Sequence, residues 1–280
     1  MKKEPTTAIA SLLQACELSN NGWYHHVTEK VEPLILKAKI ESVLMESPYY
    51  GYRRVTKELQ ALYEDEPINH KYVRKIMGRY CLLQVRRKKF APKTTDSRHK
   101  FVIYTNEIKD LGPVLAPSLV WVSDVTYIWI GTKWVYLALV MDQGSRKIVG
   151  WCMGMSLHKE LCIEALTMAL QGNSAPQYHH SDRGVQYCSH EYIRILRANN
   201  ITPSMADVGM SVDNPYAESL NRSIKVEEVY LHAYESFSEA KESIEKYIMV
   251  YNTKRLHSSL GYISPVKFEA NYQLAVAKIP

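Results

Sequence analysis

The 280-residue chain contains no uninterrupted apolar run of 18 residues, so nothing in it reads as a membrane-spanning helix. Its start, Met1-Lys2-Lys3-Glu4-Pro5, lacks the apolar stretch of a secretory signal, and a cytoplasmic protein is the expectation. Cysteine is sparse. Cys16, Cys81, Cys152, Cys162 and Cys188 form no CxxC pair and no repeated spacing, which argues against a zinc site or a disulfide framework and for reduced, mostly buried thiols. There is no GxxxxGK[ST] loop to cradle a nucleotide's phosphates, and there are no leucine heptads to zip a coiled coil.

What is present is an apolar fraction of 46%, enough for one sizeable core plus a smaller domain. The net charge of +6 is unevenly spread: residues 1–113 carry +7 and residues 114–280 carry −1. Between residues 71 and 100 eleven Lys and Arg face a single acid, Asp96. Such a segment suits a phosphate backbone, where release of counterions drives binding. The alternative is a solvated linker.

The first hundred residues read as short helices. The spacing predicts helices over 31–46 (Leu34, Ile35, Ala38, Val43 and Leu44 near one face), 53–63 (Val55, Leu59, Leu62) and about 70–80. Asn69 is placed to cap the third, which turns Val73, Ile76, Met77 and Tyr80 inward and leaves Lys71, Arg74 and Lys75 outside. Two helices, a turn and a basic second helix make a helix-turn-helix candidate. Residues 86–113 read as an extended basic linker carrying Arg86, Arg87, Lys88 and Lys89. From Leu115 the texture turns to strands at 119–130, 133–142 and 146–154. A helix at 158–171 (Leu161, Ala165, Met168 and Ala169 on one face), a strand ending at Asp182, a helix at 189–199, a strand at 202–206 and a helix from 214 follow. The order βββ-α-β-α-β-α describes an α/β domain, a mixed sheet with helices on its faces, of ribonuclease-H type.

Three acids stand out. Asp124 interrupts an apolar and aromatic strand, where a bare carboxylate is costly unless partnered or bound to metal. Asp182 ends a strand, with Gly184 permitting a tight turn after it. Glu218 falls in the first turns of a helix that Asn214 can cap and Pro215 can open; Arg222 and Lys225 follow on its face at i+4 and i+7. Alone, each has an ordinary reading: a partnered strand-edge Asp, a turn Asp, and a Glu favoured by helix electrostatics or paired with Arg222. Converging acids, by contrast, are what a two-metal phosphoryl-transfer site needs, with ions about 3.5 to 4 Å apart. His179 and His180 alternate along a strand and read as satisfied core or rim residues. The aromatic set Trp121, Tyr127, Trp129, Trp134 and Tyr136 reads as core packing.

Together Trp121-Val122-Ser123-Asp124-Val125-Thr126-Tyr127-Ile128, His180-Ser181-Asp182-Arg183-Gly184 and Asp213-Asn214-Pro215-Tyr216-Ala217-Glu218-Ser219 resemble the catalytic blocks of bacterial insertion-sequence transposases with a retroviral-integrase-like core. The 35 residues between Asp182 and Glu218, and the Lys seven residues after the Glu, match that pattern. Tyr49-Tyr50-Gly51-Tyr52-Arg53-Arg54-Val55 and residues 251–262 are also similar to it, most of all to the second-reading-frame (OrfB) product of elements that frameshift. The resemblance implies a DDE transposase that cleaves and joins DNA strands. Asp124, Asp182 and Glu218 would be its catalytic residues and ligands of two Mg²⁺ or Mn²⁺ ions, with no nucleotide. Lys225 would contact an end phosphate and Arg222 would lie beside it; Asp142, at the end of the second strand, also resembles a recurrent family position but reads as structural and not as a metal ligand. The implied partners are double-stranded DNA at element ends and target, the upstream-frame product and further copies of the chain, at the nucleoid and without a membrane. The implied division is a DNA-binding helical region at 1–85, the linker at 86–113, the catalytic core at 114–232 and a C-terminal helix and tail at 233–280. Competing readings are a non-catalytic DNA-binding regulator derived from such an enzyme and a nuclease acting on RNA–DNA hybrid.

Overall fold

A computed structural model describes residues 32–84, 101–207 and 214–278. The chain forms two compact units that divide between Val85 and Arg86.

The first unit holds three helices, α1 (Pro33–Glu46), α2 (Tyr52–Leu62) and α3 (His70–Arg79). Pro33 opens α1, where its missing N–H costs nothing. This helix is apolar on several sides, and the packed face is Leu36, Ile40 and Val43, while Leu34 and Ile35, expected on that face, are exposed. In α2, Val55, Thr56 and Leu59 are buried and Leu62 turns outward. The Asn69 side chain accepts from the Lys71 N–H at 2.8 Å and so caps α3 as expected. Val73, Ile76 and Met77 close the core, with Tyr80 only partly covered.

The second unit is built on one five-stranded sheet. Its elements are β1 (Val120–Ile130), β2 (Lys133–Asp142), β3 (Ile148–Gly154), α4 (Lys159–Gly172), β4 (Tyr178–Ser181), α5 (His190–Ala198), β5 (Thr202–Met205), α6 (Pro215–Glu227), α7 (Phe237–Thr253) and α8 (Pro265–Val276). The spatial order is β3-β2-β1-β4-β5, antiparallel from β1 to β3 and parallel from β1 to β5. Alternation along β1 sends Val120, Val122, Ile128 and Ile130 to a core shared with α6 and α7, and Trp121 to one shared with α4 and α5. The result is a ribonuclease-H-like mixed sheet covered on both faces.

The buried face of α4 is Leu161, Cys162, Ala165, Leu166 and Ala169; Met168, expected among them, is exposed. α4 and β3 approach so closely that a Cβ on Gly150 would lie 2.1 Å from the Ala165 carbonyl oxygen. Among the described cysteines Cys162 and Cys188 are buried and Cys152 is partly so, whereas Cys81 is exposed, against the expectation. No helix of the described residues is long and apolar enough to cross a membrane.

Candidate active site

The parallel ladder between β1 and β4 pairs Val120 with Tyr178, Trp121 with His179 and Val122 with His180. Two residues further on stand Asp124, still within β1, and Asp182, just past the end of β4, so the neighbouring strands bring carboxylates to the same level. There β4 stops at Ser181 while β1 runs on to Ile130, paired with β2 alone. A cleft opens where the two strands part, at the carboxyl end of the parallel strands, and Asp124, Tyr127, Tyr136, Asp182, Gly184 and Gln186 line it.

Each acid is held locally. The Asp182 Oδ1 accepts from the Gly184 N–H at 2.9 Å. A Cβ on Gly184 would lie 2.9 Å from that same oxygen and so would push the carboxylate aside; the φ of Gly184 lies outside the left-handed region. Asp124 accepts from the Val125 N–H at 2.8 Å and from Asn221 Nδ2 at 2.7 Å. Partial burial, then the charge of Asp182 and more weakly that of Glu218, push its carboxyl up to about 7, with Lys225 pulling the other way.

Helix α6 brings the remaining groups. Glu218 lies in its first turn, exposed, and Arg222 is exposed one turn on. Lys225 is half-buried, its Nζ 3.9 Å from the centre of the Tyr127 ring. Burial lowers the proton affinity of Lys225, and Asp124 opposes that shift. Asn214 occupies the position before the helix, but its side chain does not cap it. Instead Nδ2 donates to the Ser123 carbonyl at 3.1 Å, tying the start of α6 to the strand residue beside Asp124. Asp124 feels the charge of both other carboxylates, yet among the described residues no group of three His, Cys, Asp or Glu side chains is close enough to hold a metal ion.

The other end of α6 is locked from the C-terminal segment. Arg255 Nε and Nη2 donate to the two oxygens of Glu227 at 2.7 and 2.6 Å, and the Tyr247 hydroxyl donates to Oε2 at 2.8 Å. Asn252 forms a two-point clasp on Ile148: Oδ1 accepts from its N–H and Nδ2 donates to its carbonyl, both at 2.9 Å. Glu269 on α8 accepts from Lys147 Nζ at 2.8 Å and from the Ser145 hydroxyl at 3.0 Å.

The other candidates fall into place individually. Asp142 is buried and accepts from the Ser118 and Ser145 N–H groups and the Ser145 hydroxyl, which makes it a clamp for the turn. His179 and His180 are both buried; the first contacts the Ser123 and Tyr192 hydroxyls, the second that of Ser204. Burial brings His179 down to about 3, so it is neutral and part of the packing. The expectation of core packing for the aromatic set fails for Trp129 and Trp134, which are 48% and 40% exposed while Trp121 is fully buried. The β1–β2 hairpin outruns the helices that cover the rest of the sheet. Lys71, Arg74 and Lys75 are exposed on α3. Arg86, Arg87, Lys88 and Lys89 lie outside the described residues. Asn221 was not singled out by the sequence reading, although its place three residues after Glu218 puts it on the same helical face.

Family comparisons agree with this architecture. Two models described as "Integrase core domain" match residues 115–211 and 199–265, and one described as "HTH-like domain" matches residues 32–90. A 31 kDa protein of insertion element IS600 from Shigella sonnei is 32% identical over 95% of this chain and 100% of its own length. Transposase InsF of insertion sequence IS3A from Escherichia coli K12 is 30% identical over 96% of both chains. The HTLV-2 integrase catalytic core domain, solved in complex with magnesium, covers 56% of this chain and 99% of its own at 18% identity and a TM-score of 0.45. With relatives matched over nearly their whole length, and with an integrase core following a helix-turn-helix unit, the chain belongs to the insertion-sequence transposases of the DDE, retroviral-integrase-like type.

Proposed function

We propose that this transposase cleaves and joins DNA strands in a metal-dependent reaction, with Asp124, Asp182 and Glu218 as its catalytic acids. The observation that carries the reading is the placement of Asp124 and Asp182 at the same level beside neighbouring strands in one cleft, where burial and the charges of Asp182 and Glu218 push the Asp124 carboxyl up to about 7. Such a site is short of positive charge, and divalent cations on oxygen ligands supply it. Carboxylate oxygens are the donor type that Mg²⁺ or Mn²⁺ takes; Asp124, Asp182 and Glu218, drawn closer together, would hold two such ions, which would activate the attacking oxygen and stabilise the departing one.

The chain's own residues supply the rest. Asn221 and the Val125 N–H hold both oxygens of Asp124, and the Gly184 N–H fixes one of Asp182. Asn214 ties the first turn of α6, and Glu218 with it, to Ser123. Lys225 and Arg222 offer cations to the phosphates flanking the scissile bond, while Lys71, Arg74 and Lys75 on α3, with the Arg86–Lys89 run, grip double-stranded DNA at element ends. Exchange of one phosphodiester for another needs no nucleotide. The working state is an oligomer on element-end and target DNA at the nucleoid, assembled with the upstream-frame product.

Strand cleavage and joining on labelled element ends with Mg²⁺ tests the assignment. Asp182→Asn is expected to abolish both while leaving DNA binding intact; equal activity in the variant would sink it. The second reading, a regulator that occupies element ends, has in its favour that no three ligand side chains among the described residues lie close enough to hold a metal ion. Inactivity of the native chain together with the upstream-frame product would select it.

A further inference from the structure

The β1–β2 hairpin carries an aromatic row that neither the fold nor the proposed chemistry uses. Trp129 and Trp134 face each other across the hairpin, ring centres 4.9 Å apart at 68°. Trp134 meets Tyr127 at 5.0 Å and 86°, and Tyr127 lines the cleft of Asp124 and Asp182 with the Lys225 ammonium over its ring. The row thus runs from the acids outward. One edge-to-face pair is enough to stabilise a hairpin, yet leaving two indoles 48% and 40% exposed forgoes burial that strands normally secure. The hairpin is anchored at its tip, where the Gly131 N–H donates to the Tyr234 carbonyl at 3.1 Å, so the indoles are held in place. Cations border the row: Lys225 at its inner end, exposed Arg222 on the same helix, and exposed Lys133 beside Trp134.

Exposed aromatic faces flanked by cations match single-stranded nucleic acid, in which each base has a π-face to stack and each linkage a negative charge. Paired bases hide those faces within the duplex. We propose that the exposed Trp134 and Trp129, with Tyr127 packed behind them under the Lys225 ammonium, form a stacking ladder for unpaired bases of the DNA strand flanking the phosphodiester at Asp124 and Asp182. This inference rests on the strand-transfer reading above and adds to it a preference for a frayed end.

The test compares the full chain's affinity, at fixed salt, for two duplexes of one sequence. One is fully paired, and the other has two terminal base pairs replaced by mismatches and carries 2-aminopurine at an unpaired position. The frayed duplex is expected to bind about tenfold more tightly, the contribution of stacking one base, and to show quenched 2-aminopurine fluorescence. Trp129→Ala and Trp134→Ala are each expected to remove most of that preference without weakening the paired duplex; Trp129→Phe and Trp134→Phe should keep part of it. An equal loss on both duplexes, or an unchanged preference, overturns the ladder. So does a change in oligomeric state of the alanine variants with the preference intact, which would make the row a contact between copies. Should the alanine variants fail to fold by circular dichroism, unquenched 2-aminopurine on the native chain overturns it instead. Asp182→Asn separates the two readings, because it should keep the frayed-end preference while losing strand joining. If joining survives that substitution, the metal-site reading falls and the stacking result stands or falls on its own.

Discussion

Replacing Arg255 by Met should destabilise the catalytic unit by about 3 to 5 kcal/mol, the cost of stranding a buried charge. The size follows from what Glu227 keeps. Its carboxylate is 7% exposed and loses two charge-assisted hydrogen bonds, at 2.7 and 2.6 Å, leaving the Tyr247 hydroxyl at 2.8 Å. Met roughly preserves the volume of the arginine stem, so the loss reports on charge more than on a cavity. For a unit of this size the midpoint should fall by roughly 6 to 20 °C. Urea unfolding followed by tryptophan fluorescence measures the loss, and a thermodynamic cycle with Glu227→Met isolates the pair. The double variant should be more stable than either single one, because it strands no charge. A loss below about 1 kcal/mol, or strictly additive single losses, would refute the claim that this pair locks α6 to the segment after α7.

Asn221→Leu should lower strand joining by roughly 10- to 100-fold with folding intact, the usual effect of removing the group that orients an acidic ligand; single-turnover joining assays check it. In metal-free protein the raised carboxyl of Asp124 binds a proton that the unfolded chain has released. Stability therefore falls as pH rises from about 4 to about 7. Asp124→Asn should remove that loss, gaining about 1 to 2 kcal/mol at pH 8 and nothing at pH 4; solvent access keeps the gain below the full linkage of the shift. Urea midpoints at the two pH values decide, and a gain at pH 4 alone would reverse the sign. Gly150→Ala should cost about 3 kcal/mol, because the added methyl meets backbone at 2.1 Å and no rotamer can relieve it; the same unfolding assay applies.

Much of this architecture was legible from pattern because its signals are local. The Asn69 cap, the inward Val73, Ile76 and Met77, and the strand and helix order each depend on residues within a turn or two. Non-local choices were not legible. An Asn before a Pro reads as a cap, but the side chain of Asn214 goes to Ser123, 91 positions away, because α6 packs on β1 there. Leu34, Ile35 and Met168 are exposed because a helix with apolar residues on several sides offers more than one packing face, and only the neighbouring elements select one. Trp129 sits in the same apolar run as Trp121, Trp134 opens the next one, and neither run announces where the covering helices end. The sequence could put Asp124 and Asp182 on strands; that the two strands are neighbours, and in what register, is a property of the assembled sheet.

The clasp of Asn252 on Ile148 and the grip of Arg255 on Glu227 also impose an order in time. Both come from a segment synthesised after everything that forms the cleft. A nascent or truncated chain ending before residue 250 has the strands that carry Asp124 and Asp182, but α6 is not yet fastened at its far end. Such a chain keeps the amino-terminal helices whole while its cutting centre is slack. On the proposed function, premature stops before residue 250 should therefore yield chains that bind DNA without cleaving it.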